Sequence, residues 1–240
     1  MLRTVKSLRG YKLHAIDGDV GKVREFYFDD HLWTVRYLVA DTGNWLVDRL
    51  VLLSPASLGN PEWERQVFPV NLTMDQVEES PRISADEPVS RRMEVDLHGY
   101  YGWSPYWYGA AYIAAAQAHS QEEDKGDPHL RSTREVIGYH IHARDGEIGH
   151  VDDFVVDDES WDVRYMVVDT RNWLPGKKVL VAPQWAASVD WAGRQVSVDL
   201  AKDAIENGPA FDPTLPVNRE YEVRLYDYYG RPHYWTRVGH

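Results

Sequence analysis

Alternation of apolar and polar residues at a period of two dominates the chain and predicts strands. From Val20 to Phe28 the pattern puts Val20, Phe26 and Phe28 on one face and Gly21, Val23 and Tyr27 on the other. Trp33 to Asp41 is a second run, rich in aromatic and β-branched residues, and Leu50 to Leu53 is a third. Arg65 to Asn71 reads as one more strand. Asp29-Asp30-His31-Leu32 and Thr42-Gly43-Asn44 suit tight turns. Asp17-Gly18 is a candidate two-residue turn, because glycine takes positive φ without a Cβ clash. Pro55 stops the third strand, since proline gives no donor to a ladder. Leu72 to Glu79 is a short helix-like piece, closed by Ser80-Pro81.

The same pattern returns 128 residues later. Gly10-Tyr11 recurs as Gly138-Tyr139, Asp17-Gly18 as Asp145-Gly146, Gly21 as Gly149 and Trp33 as Trp161. Val35-Arg36-Tyr37 becomes Val163-Arg164-Tyr165, and Asp41-Thr42-x-Asn44-Trp45-Leu46 becomes Asp169-Thr170-x-Asn172-Trp173-Leu174. Leu50 to Leu53 matches Val179 to Ala182, and the helix-like piece returns over Leu200 to Asn207. Arg65 to Asn71 aligns with Arg194 to Asp199 with a one-residue offset, which suggests a bulge or a loop change. The chain is one module built twice. Short strands at roughly 8–12-residue spacing predict an all-β fold, with two small antiparallel β-barrels or sandwiches in tandem. Each carries a short helix and an aromatic-rich tail. The expected organisation is repeat 1 with its tail over 1–108, a linker over 109–132, and repeat 2 with its tail over 133–240. Gly109 to His119 is alanine-rich and suits a helical turn or two, while Ser120 to Ser132 is charged and poor in apolar anchors.

Composition narrows the function classes. The chain has no cysteine, which excludes disulfides, thiolate metal sites and cysteine nucleophiles. A net charge of -12, with no basic run longer than Arg91-Arg92 or Lys177-Lys178, predicts no direct contact with nucleic acid. No apolar run approaches the roughly 20 residues that span a bilayer, so a cytoplasmic protein without a membrane span is expected.

With these residues in view the chain resembles the PRC-barrel family. Gly10, Asp17 to Val23, Arg36 to Leu46 and Leu52 to Pro55 carry the likeness in the first unit. Asp145 to Val151, Arg164 to Leu174 and Leu180 to Pro183 carry it in the second, which departs at Arg171, where the turn glycine is replaced. The family is known from the cytoplasmic domain of the photosynthetic reaction-centre H subunit and from the C-terminal barrel of a ribosome-maturation factor. The resemblance implies a small all-β barrel that binds other proteins and performs no catalysis.

Candidate chemistry is sparse. His140 and His142 are two apart and share a strand face. A two-residue turn at Asp145-Gly146 sets Arg144 opposite Glu147 and Ile141 opposite His150. That register takes His150 off the shared face, so a three-histidine metal site is not expected. Asp29-Asp30, Asp152-Asp153 and Asp157-Asp158-Glu159 could gather a cation, but none forms a calcium loop, and turn capping by aspartate explains them. Asp41 and Asp169 are expected to fix turns through backbone donors. Arg36 and Arg164, mid-strand, are expected to pair with an acid or to lay their stems along apolar surface. Phosphate-loop, dinucleotide and nucleophile-elbow motifs are absent.

The aromatic tails offer a candidate interaction surface: Tyr100, Tyr101, Trp103 and Trp107, and Tyr228, Tyr229, Tyr234 and Trp235. The competing expectation is that each tail folds back over a unit and covers its apolar end. The sequence therefore points to a non-catalytic interaction or scaffold module with no cofactor, no metal and an unidentified protein partner, as a homodimer or an intramolecular pseudo-dimer. The alternatives are an assembly factor on ribosomes or on a photosynthetic or electron-transport complex, and a metal-dependent enzyme built on His140, His142 and Asp152-Asp153.

Overall fold

The computed structural model describes residues 1–47, 49–84, 88–109, 129–170 and 176–236. The alanine-rich stretch, most of the expected linker and the departure at Arg171 lie outside these residues.

In chain order the first elements are β1 (Leu2–Thr4), α1 (Val5–Leu8), β2 (Lys12–His14), β3 (Asp19–Asp29), β4 (Thr34–Asp41) and β5 (Arg49–Leu53). There follow β6 (Val67–Pro69), α2 (Met74–Glu78), β7 (Ile83–Ser84) and α3 (Arg91–Tyr101). The second set is β8 (Leu130–Ser132), α4 (Thr133–Val136), β9 (His140–Ala143), β10 (Gly146–Asp157), β11 (Val163–Asp169) and β12 (Lys178–Val181). It ends with β13 (Ala186–Asp190), β14 (Gln195–Val198), α5 (Lys202–Asn207) and α6 (Arg219–Tyr228).

These elements form two seven-stranded sheets. One runs β6-β2-β3-β4-β5-β7 and the other β12-β11-β10-β9-β14-β13. The protein is mostly β, as the alternation predicts, but the antiparallel-barrel expectation needs two corrections. Strand β2 pairs with β6 in parallel, and β9 pairs with β14 in parallel. Among the described residues no pairing joins β6 to β7 or β12 to β13, so neither sheet closes into a ring. Helix and tail cover the exposed face instead. In the first unit Val89 and Leu97 are buried in one core with Tyr37, Val39, Leu50 and Leu52, and Tyr101 and Trp103 pack against it.

The divide between the two compact units does not follow the sequence period. One unit comprises 7–134 and the other 1–6 with 135–240. The end of the expected linker is strand β8, which adds to β3 with Tyr27 opposite Ser132 and Asp29 opposite Leu130. Strand β1 adds to β10 with Val155 opposite Thr4 and Asp157 opposite Leu2. Tyr27 and Val155, like Thr4 and Ser132, are 128 residues apart, so the two additions share one register. Each unit thus receives its edge strand from the segment that precedes the other repeat.

Several sequence signals find their physical reason here. Gly21 and Gly149 sit at φ 144° and 141°, where a Cβ would lie 2.2 and 2.0 Å from the carbonyl oxygens of Asp41 and Asp169. Only glycine lets β3 approach β4, and β10 approach β11, this closely. Strict alternation fails in β3, where shifts in register between Val23 and Glu25 and between Tyr27 and Phe28 bring Glu25 inside. The offset between Arg65 and Arg194 disappears. Gln66 and Arg194 occupy the same left-handed position, at φ 55° and 54°, and their carbonyls accept from Lys12 and His140 at 2.9 Å. Asp17 and Asp145 cap the following short helices, accepting from the Met74 and Lys202 amides at 2.8 and 2.9 Å. Arg49 and Lys177 hold the carbonyl ends of the same helices, Arg49 through Val77 and Ser80 and Lys177 through Ile205 and Gly208. The 11-residue α3 and 10-residue α6 run up to the aromatic tails, and the strand pattern did not predict them. Their N-caps Ser90 and Asn218 accept from Met93 and Tyr221.

The exchanged strands β1 and β8 each bond to a sheet whose other strands lie on the far side of residues 110–128 in the sequence. A protease site placed within 110–128 and cut to completion is expected to leave pieces that co-elute under native conditions and separate only in denaturant. Size-exclusion chromatography reads the outcome.

Candidate functional site

Ionisable groups converge where each long helix meets its sheet. Glu94 on α3 shares a helix face with Leu97, three positions on, and is fully buried. Its carboxylate accepts from Tyr37 Oη on β4 at 2.8 Å and from Tyr106 Oη at 2.7 Å. Arg91, one turn earlier, pairs with it at 2.8 Å. The Arg36 guanidinium lies 4.0 Å from the Tyr106 ring centroid, and Arg91 lies 4.5 Å from Trp107. The other unit repeats the arrangement. Glu222 accepts from Tyr165 at 2.7 Å and from Tyr234 at 2.8 Å, and pairs with Arg219 at 3.0 Å. Arg164 lies 4.2 Å from Tyr234, and Arg219 lies 4.1 Å from Trp235.

The electrostatics of this cluster favour structure over proton transfer. Burial raises the Tyr165 hydroxyl far above its ordinary range, reinforced by Tyr226 and Glu222. Burial and the Glu222 carboxylate push Tyr234 up to about 12. Such hydroxyls remain protonated and donate. His98 is the main difference between the units, because Tyr226 takes its place in the other. Burial lowers the His98 pKa and so favours the neutral ring, whose Nε2 lies 2.9 Å from Tyr37 Oη.

The tail residues separate into covered and exposed ones. Trp107 is buried; Tyr101, Trp103, Tyr229, Tyr234 and Trp235 are half-buried; Tyr100 and Tyr228 are exposed. Tyr101 stacks on Trp103 at 4.3 Å, while Tyr226 meets Trp185 at 5.1 Å and Trp235 at 5.3 Å. Each tail therefore folds back on its own unit, with Trp107 inside it and Tyr100 and Tyr228 at its surface. What stays open in the first unit is a pocket of about 430 Å³ lined by Val95, His98, Gly99, Trp103, Trp107 and Tyr108. Val95 is 48% exposed and Tyr108 71%.

The histidine register differs from the expectation. The turn after β9 is centred on Arg144-Asp145, one residue earlier than expected, with Ala143 opposite Gly146. A shift between Glu147 and Gly149 then sets His150 opposite His140. All three histidines consequently surround Glu147, whose carboxyl is lowered first by a 2.9 Å hydrogen bond with His140 and further by His142 and His150. His140 and Glu147 are both solvent-exposed.

The paired aspartates have structural partners. Asp152 joins Lys6 at 2.7 Å and Lys178 at 2.6 Å. Asp153 is buried and accepts from the amides of Lys6 and Phe154. Arg36 pairs with Asp29 at 3.2 Å, and Arg164 with Asp157 and Asp162 at 3.5 and 3.0 Å. The Asp41 carboxylate accepts from the Gly43 amide at 3.0 Å. One donor set was not legible in the sequence. Asp30, His31 and His129 converge at the turn after β3, because the pairing of β8 with β3 brings His129, the residue before β8, alongside Asp30. The spacing between residues 31 and 129 gives no hint of it.

Comparison with known proteins adds one positive finding. Residues 129–205 match the PRC-barrel domain. No curated protein matches the chain. The matched span begins at the residue before β8, so it includes a strand that lies on the other unit's sheet. Among the described residues no helix is long and apolar enough to cross a membrane.

Two predictions test the energetics. Glu94→Ala leaves two tyrosine hydroxyls and Arg91 without their acceptor, and is expected to cost about 3–5 kcal/mol in urea unfolding. Burial raises the Asp153 carboxyl from 3.8 to about 6, against the backbone donors that lower it. Its folded pKa then exceeds the unfolded one, so native protein binds more protons between about pH 4 and pH 6. Stability from this group is present below that window and falls by roughly 3 kcal/mol as pH rises through it. Thermal melts of wild type against Asp153→Asn across pH 4–7 should show that difference.

Proposed function

We propose that the chain is a non-catalytic protein-interaction or scaffold module made of two PRC-barrel-like units, the first built on the same plan as the second. The supporting observation is that two deeply buried carboxylates at matching positions, Glu94 and Glu222, are committed to holding helix and tail on the sheet in both units. Groups held this way offer no acid–base pair poised at a cleft. The surface that remains for a partner is the pocket beside α3, where Val95 and Tyr108 stand exposed around aromatic walls. An apolar rim with aromatic anchors suits a protein segment that inserts an apolar side chain.

Val95→Asp with Tyr108→Ala places a charge on this rim and removes its largest exposed ring without touching the buried network. Quantitative affinity capture from native extract at physiological salt is expected to enrich a partner on the wild-type chain and to lose it on the double variant. Identical capture profiles for the two proteins would defeat this reading.

A further inference from the structure

We propose that Asp30, His31 and His129 bind one divalent transition-metal ion, of which Zn²⁺ is the closest chemical match, and that the ion fastens strand β8 to the turn after β3. The three donor atoms lie within 4.8 Å of one another. His31 Nδ1 and His129 Nδ1 each lie 3.3 Å from the same oxygen, Asp30 Oδ1. That separation is the ligand-to-ligand edge of a tetrahedron with bonds of about 2.0–2.1 Å, the length for zinc with nitrogen and oxygen donors. The two imidazole ring centroids lie 3.7 Å apart at an interplanar angle of 67°, so ligation at tetrahedral angles would move the rings apart from this arrangement.

The surroundings hold this geometry in place. Asp30 Oδ2 accepts from Arg131 Nε at 2.8 Å, which leaves Oδ1 turned to the histidines. An outer partner of this kind orients a metal-binding carboxylate. The Asp30 amide donates to the His129 carbonyl at 2.8 Å, extending the ladder between β3 and β8. Asp29 Oδ1 accepts from the amides of His31 and Leu32 at 2.9 and 3.1 Å and fixes the turn. The side chains of His31 and Asp30 are 2% and 7% exposed, and that of His129 is 25% exposed, so the ion would enter past His129.

Two histidines and one carboxylate leave a fourth position for water. Nitrogen donors favour zinc and its neighbours in the transition series over magnesium or calcium. In the other unit the equivalent positions hold Glu159 and Met1 in place of His31 and His129, so the histidine set belongs to one unit only. Binding would add its free energy to the arrangement in which β8 lies on β3.

Isothermal titration of Zn²⁺ into tag-free, chelator-stripped full-length protein is expected to show one tight equivalent per chain and a rise in Tm. His129→Ala, at the most exposed ligand, is expected to weaken that equivalent at least tenfold and to abolish the Tm rise. His140→Ala with His142→Ala, which thins the histidines around Glu147, should leave it unchanged. Co²⁺ in place of Zn²⁺ is expected to give the intense visible absorption of a four-coordinate ion, and anomalous scattering from the Co²⁺-soaked crystal would locate it independently of any variant. Absence of a tight equivalent, equal affinity in His129→Ala, or an ion located at His140 and His142 would overturn the proposal.

Discussion

A carboxylate buried beneath a helix, Glu94 in one unit and Glu222 in the other, is the constraint on which the architecture rests. An ionised group in that position is costly unless several donors meet it. Two tyrosine hydroxyls and an arginine do so, and they come from three separate pieces of chain: the sheet, the helix and the tail. The tail aromatic residues are drawn in because Tyr106 and Tyr234 supply one of the hydroxyls. Arg36 and Arg164 then lie against those rings from the sheet side. An open sheet thereby gains a covered face without closing its strands into a ring.

The exchanged edge strands form the second layer of organisation. Each sits in the same register on its sheet and brings polar groups to the turn it meets. At β10 the incoming segment supplies Lys6, whose amide reaches Asp153 and whose ammonium reaches Asp152. At β3 it supplies Ser132 and Thr133, which reach Glu25 and the Phe26 amide. The same strand carries Arg131 to Asp30, and His129 just before it reaches the same carboxylate. The carboxylate–tyrosine cluster is nearly identical in both units, while this corner and His98, matched by Tyr226, differ between them.

The match over residues 129–205 and the exchange bear on each other. A segment that begins the PRC-barrel domain in sequence lies on the first unit's sheet in space, and residues 1–6 take its place. A continuous stretch of sequence is therefore not the same object as a compact unit here. Edge addition permits this because a strand contributes backbone hydrogen bonds and a few side chains regardless of which connection delivers it.

The repeat, the strand-rich class and the turn-fixing Asp29 and Asp41 were legible in the sequence, since each depends on spacing or on local backbone donors. So was the pairing of Arg36 and Arg164 with acids. Local signals failed where one inserted residue changes the outcome, as at the shift before Gly149 that sets His150 opposite His140. They gave no signal for the helices α3 and α6 that lead into the aromatic tails. Spacing along the chain fixes which residues are able to alternate, turn or cap. Which strand lies beside which, and hence the meeting of Asp30 with His129 or of Glu94 with Tyr37, was decided only by tertiary structure, because those contacts join segments whose separation in sequence carries no information about their distance in space.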